Sequence, residues 1–182
     1  MGWGGSFLLL IILGQSSPYG SSQLSLKEAV NLGWRHAAAW DPEAVLISAS
    51  SVDDEYEEEG KGNNGRRRFW NLIFAVPEKD RSLILTIRDG QVQLKETIDV
   101  YRAAEGVQVH EIIVDSPQLV KRARDKYHLL PGVTWAEGYH FVLFKSENVL
   151  FAAVVGLNEK EQYTKIFFDP QDGSYLGMSI TE

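Results

Sequence analysis

Apolar and polar positions along the chain fall twice into the same order, a stretch of helical period followed by a set of strand-like runs. In "LSLKEAVNLGWRHAAAW", Leu26, Ala29, Val30, Gly33, Ala37 and Trp40 recur at three-to-four spacing, which lays one apolar stripe along a helix. Ser25 with Glu28 three residues on predicts a capping box at its start, and Asp41 ahead of Pro42 predicts its end near Trp40. Four strand-like runs follow, at 44–51, 68–76, 82–88 and 91–98, with Asp89-Gly90 as a hairpin signal between the last two.

The second half repeats this order. Ser116 as N-cap with Pro117 at the first helical position, then Leu119, Val120, Ala123 and Tyr127, predicts a shorter helix. Strand-like runs follow at 139–145, 149–156, 163–168 and 174–180, and Asp172-Gly173 stands where Asp89-Gly90 stands earlier. The chain reads as one unit used twice, residues 23–105 and then 106–182.

The halves differ most at the first hairpin. In the second it closes over Ser146, Glu147 and Asn148; in the first it carries an insertion at about 53–66. That insertion holds six acids in seven positions (Asp53, Asp54, Glu55, Glu57, Glu58, Glu59), a Gly/Asn patch and Arg66, Arg67 and Arg68. Its spacing lacks the alternating Asp/Asn ligands and closing Glu of a calcium loop, so no metal site is assigned. The expected form is a solvated, mobile hairpin tip whose arginines loosely balance its acids, and it is the first place to look for a partner-binding element.

Composition narrows the classes. With 182 residues, 44% of them hydrophobic, the chain can bury a sizeable core. The net charge of -7 divides into -3 over residues 1–91 (nine basic, twelve acidic) and -4 over residues 92–182 (nine basic, thirteen acidic). Neither half offers the concentrated positive charge that nucleic acid requires. The absence of cysteine excludes thiol catalysis, disulfides and thiolate zinc sites. At the N-terminus an apolar run from Phe7 to Leu13, too short to span a bilayer, precedes a Ser/Gly-rich segment. Residues 1–22 therefore resemble a secretory leader and linker, which places the protein outside the cytoplasm or in the cell envelope with no stable transmembrane anchor.

Candidate chemistry is sparse. His36, His110, His128 and His140 show no metal-ligand spacing, and no nucleophile elbow, phosphate loop or dinucleotide fingerprint occurs. No catalytic residue and no cofactor is assigned. Trp40 and Trp70 lie on core stripes, whereas Trp34 and Trp135 lie off them and, with His140, mark a possible groove.

"LLPGVTWAEGYHFVLF" and "YTKIFFDPQDGSYLG" resemble the PepSY domain, which has a helix, a Pro-Gly connector, a Tyr-rich strand and a last hairpin of the form Val-Asp-x-x-Thr-Gly-x-Val. Phe168, Asp169, Asp172, Gly173 and Tyr175 stand in that hairpin, with Asp172 where Thr is usual; "LTIRDGQV" stands in the equivalent place of the first half. The resemblance implies an α+β fold of two cystatin-like units, each a helix packed on a curved antiparallel sheet of three to four strands. It implies an exported, non-catalytic module that binds another protein, a peptidase to be inhibited or an envelope component, through a sheet edge or hairpin loops. The alternative is a small-ligand binder or enzyme with a pocket between helix and sheet, where Arg35, Glu137 and His140 would converge.

Overall fold

The computed structural model describes residues 22–53, 60–77, 79–99 and 106–181. Among the described residues, β1 (Leu24–Ser25) leads into α1 (Leu26–Trp40), then β2 (Val45–Ser51), β3 (Arg66–Arg67), β4 (Phe69–Val76), β5 (Arg81–Arg88) and β6 (Gln91–Ile98). After a 3-10 turn at Val109–Glu111 come α2 (Ser116–Tyr127), β7 (His140–Ser146), β8 (Val149–Leu157), β9 (Tyr163–Phe168) and β10 (Tyr175–Ile180).

The strands do not divide into one sheet for each half. β10-β9-β8-β7-β2-β4-β5-β6 is one antiparallel sheet of eight strands, and β1 pairs with β3 in a separate two-stranded ribbon. This overturns the expectation of two cystatin-like units, each with its own sheet. The finding that decides it is the pairing of β2 with β7, in the register Ser48↔Phe144, Ala49↔Leu143 and Ser50↔Val142. Each strand would be an edge of its own four-stranded half. Paired, they satisfy each other's backbone groups and extend one ladder across the molecule.

That register also fixes the faces. Ala49 and Leu143 are opposite each other and both are buried in the core, so the helix-bearing sides of the two halves coincide. A single apolar cluster runs from Leu26, Ala29 and Val30 of α1 through Trp70, Leu72 and Phe74 of β4 to Leu119 and Val120 of α2 and Ile166 and Phe168 of β9. The space between α1 and the sheet is closely packed. A Cβ at Gly33 would lie 2.6 Å from Leu72 Cδ2, and Phe74 has no exposed surface. The pocket expected there is replaced by close packing.

The helix starts are tied together by their caps. Ser25 closes the capping box as predicted: Glu28 N donates to its hydroxyl, and Ser25 N donates to Glu28 Oε2 at 2.9 Å. At α2 the N-cap is Asp115, not Ser116. Ser116 is buried and serves a distant partner: its hydroxyl accepts from Leu26 N at 2.9 Å and donates to Gly65 O at 2.6 Å. Asp115 Oδ1 accepts from Lys27 N at 2.9 Å. The start of α2 therefore supplies two of the acceptors that the start of α1 lacks.

Gly65 has a φ of +79°, and a Cβ there would collide with the Pro117 backbone. Only glycine allows the loop to pass this close to α2. The described part of the insertion is thus packed: Tyr139 N donates to Lys61 O at 2.7 Å, Lys61 pairs with Glu137, and Arg124 reaches Asn63 O. This corrects the picture of a mobile tip for residues 60–66.

Replacing Ser116 with Ala leaves a buried N–H of α1 and a buried carbonyl of the loop without their partner. A loss of about 2 kcal/mol in urea unfolding is expected. A change below about 0.5 kcal/mol would mean that the caps are not coupled across the two helices.

Candidate functional site

The best-defined polar cluster lies at the ends of β2 and β7, beside the loop that precedes β7. Arg67 is fully buried, with no accessible surface. Its Nη2 donates to Asp53 Oδ1 at 2.9 Å and its Nη1 to Glu137 O at 2.9 Å, with longer bonds to Tyr139 O and Val52 O at 3.4 Å. Asp53 Oδ2 accepts from Glu137 N at 2.9 Å. A buried guanidinium is tolerable only with such a carboxylate and ring of acceptors around it.

His140 sits against this cluster and is only 7% exposed. Phe141 N donates to Ser51 Oγ at 2.9 Å, and Ser51 Oγ lies 3.1 Å from His140 Nδ1. His140 Nε2 lies 3.5 Å from Asp53 Oδ1 and makes no hydrogen bond. Burial, reinforced by the neighbouring Arg67 charge and only partly offset by Asp53, holds the imidazole down at about 4. The ring is neutral at ordinary pH.

Ser51, His140 and Asp53 share the residue types of a hydrolytic triad, yet their arrangement suits a latch. Ser51 is buried, and its hydroxyl is occupied by the Phe141 amide. The carboxylate is turned toward Arg67 and the Glu137 amide. An imidazole held near 4 is a poor general base for the serine.

The other expected residues are placed as follows. Asp54, Glu55, Glu57, Glu58 and Glu59 lie outside the described residues. Arg66 forms a forked pair with Glu28, at 2.7 and 2.9 Å, and Arg68 does the same with Asp89, at 2.6 and 2.9 Å. With Arg67, all three arginines are engaged within the chain. Trp34 tilts against Phe74 at 6.2 Å on the helix-covered side, so it shares no groove with Trp135. Arg35 is exposed on α1, and Glu137 is engaged with Lys61.

Trp135 and His140 do come together, on the face of the sheet away from the helices. His140, Val155 and Lys165 are cross-strand neighbours and so form one row on that face. With Trp135, Asp53 and Val142 they line a cavity of about 330 Å³. Lys165 was not singled out in the sequence. Its signal was a lysine in "YTKIFF", on the polar beat of a strand, where a solvated side chain is the ordinary expectation. Among the described residues, no group of three or more potential metal ligands lies together, and no helix is long and apolar enough to cross a membrane.

No family model and no curated protein matches the chain. Among solved structures, the fold is similar to that of a protein from Clostridium difficile 630 described as a candidate lipoprotein. The TM-score is 0.64 at 14% identity, over 89% of this chain and 96% of the other. At this identity the likeness establishes a shared architecture.

The low value for His140 has a measurable consequence. The unfolded chain binds a proton near 6.5 that the folded chain refuses until about 4, so stability is complete above pH 6.5 and falls as pH drops toward 4. Fully protonated, the residue would cost about 3 kcal/mol. Between pH 6.5 and 5, a His140→Gln variant should have a flatter stability curve than the natural protein. Parallel curves would show that His140 does not titrate in this way.

Proposed function

We propose that this chain is a non-catalytic, exported protein that binds another protein by strand addition along β10. The observation that supports it is the contrast between the two sheet edges. β6, at one edge, carries Lys95 and Glu96, the charges that ordinarily discourage pairing with foreign strands. β10, at the other, reads "YLGMSI" without a charge or proline, and Tyr175, Leu176, Met178 and Ile180 are each 40–52% exposed.

The register along β10 shifts between Tyr175 and Gly177, then runs regularly from Gly177↔Phe167 to Ile180↔Thr164. A partner strand would find a regular stretch of backbone there, with Met178 and Ile180 beside it. Met178 pairs with the buried Ile166, so these side chains lie on the helix-bearing side and continue the core outward. Tyr175 anchors the start of the edge by stacking on Tyr127 of α2 at 4.9 Å. The fitting partner is an extended, uncharged segment with apolar side chains at alternate positions.

Export is supported by the apolar leader-like run and by the lipoprotein description of the similar structure. The lack of catalysis is supported by the closed Ser51–His140–Asp53 arrangement. Kinship with the PepSY family belongs to this proposal, on the motifs of the second half. Restraint of a secreted metallopeptidase is its narrower form.

A photo-crosslinking residue at position 178, in cells producing the full chain, should give a discrete protein adduct that Ile180→Lys removes. The same probe at Leu94 on the opposite edge should give none. No adduct from position 178, or equal adducts from both edges, would refute binding along β10. An adduct that proves to be a peptidase, slowed by the purified protein, would support the narrower form.

A further inference from the structure

On the face away from the helices, the row His140–Val155–Lys165 ends beneath the loop of residues 129–138, which carries Trp135. Trp135 is 66% exposed, but its loop is held firmly. Leu130 and Leu157 exchange two backbone bonds of 2.8 Å, and Gly132 and Gly138 exchange bonds of 2.6 and 2.9 Å. The Tyr163 hydroxyl accepts from Thr134 N at 3.2 Å, and its ring lies 4.5 Å from the indole of Trp135. A large apolar ring kept in water by a pinned loop is a prepared contact surface.

The charges beneath it are unequal. Asp53 is committed to Arg67 and to the Glu137 amide, and His140 leaves Nε2 without a hydrogen bond. Lys165 forms no ion pair among the described residues, in a chain with seven more acids than bases. The cavity of about 330 Å³ is thus walled by Trp135, Val142 and Val155, and Lys165 brings to it an ammonium with no ion-pair partner among the described residues.

We propose that this cavity binds a small monocarboxylate with a flat apolar body, its carboxylate on Lys165 and its ring against Trp135. The volume is at the lower end of the range for ligand pockets, which suits an acid of one or two rings. A single ammonium is a compact point charge and matches a single carboxylate. The site uses the face of the sheet and not its edge, so its failure would leave the β10 proposal standing.

The test is titration of phenylacetate and of its uncharged amide into the full-length protein, followed by calorimetry and by the Trp135 indole N–H resonance. Roughly tenfold tighter binding of the acid than of the amide is expected. Lys165→Met should erase that preference, Lys160→Met should preserve it, and Trp135→Ala should weaken both ligands. The acid–amide comparison on the natural protein does not depend on any variant folding. No saturation by about 10 mM phenylacetate, equal binding of acid and amide, or a preference that survives Lys165→Met would overturn the proposal.

Discussion

The structure is organised around one buried charge. Arg67 comes from the segment between β2 and β4, yet its acceptors include the carbonyls of Glu137 and Tyr139, which immediately precede and enter β7. It therefore crosses the junction at which the two halves join. Leaving such a charge without its carboxylate and carbonyls costs several kcal/mol, so the pairing of β2 with β7 and the burial of Arg67 depend on each other. Just below this point Trp70 of β4 stacks on Phe141 of β7 at 6.2 Å, and apolar contact continues where the polar pin ends. The helices are coupled in the same region through Ser116 and Gly65.

Once the halves share a sheet, the remaining surface has a clear division of roles. The helix-bearing face is filled by packing as far as β10, where Met178 and Ile180 stay exposed. Two edges remain, one guarded by charge and one apolar, along with a face on which Phe144, Phe151 and Phe167 cluster at 5.2 to 6.4 Å. The cavity under Trp135 adjoins that aromatic group through Val142, whose cross-strand partners lead to Phe167. Catalysis is a poor use of the polar cluster, because its histidine, serine and aspartate each satisfy a structural partner.

Much of the local structure was legible in the sequence because it depends on neighbours in the chain. The Ser25–Glu28 capping box, the α1 stripe and the Asp89-Gly90 hairpin are decided within a few residues and appear as expected; both Asp89 and Gly90 take positive φ, as a tight hairpin requires. Long-range choices were not legible. Nothing in "SSVDDEYEEEGKGNNGRRRFW" distinguishes the fully buried Arg67 from Arg66 and Arg68, because beyond Asp53 its acceptors include the carbonyls of Glu137 and Tyr139, about seventy positions away. Ser116 looked like a cap because serine before Pro117 is a strong local signal. The hydroxyl instead follows a stronger demand, the unpaired amide of Leu26, ninety residues distant. The joining of β2 to β7 was missed for the same reason: alternation marks each strand but carries no address for its neighbour. Trp135 could be marked as off-stripe and His140 as a groove candidate, whereas Lys165 became notable only once the sheet placed it in the row of His140.

Pinned at Arg67, the two halves should unfold as one cooperative body. Urea unfolding of the protein labelled with 5-fluorotryptophan tests this, following the fluorine signals of Trp70 in β4 and Trp135 ahead of β7. One body requires the two signals to change at the same denaturant concentration, with Arg67→Met moving both midpoints down together. Separate midpoints in the natural protein, or a loss of the Trp135 signal in the variant while Trp70 is unaffected, would contradict it.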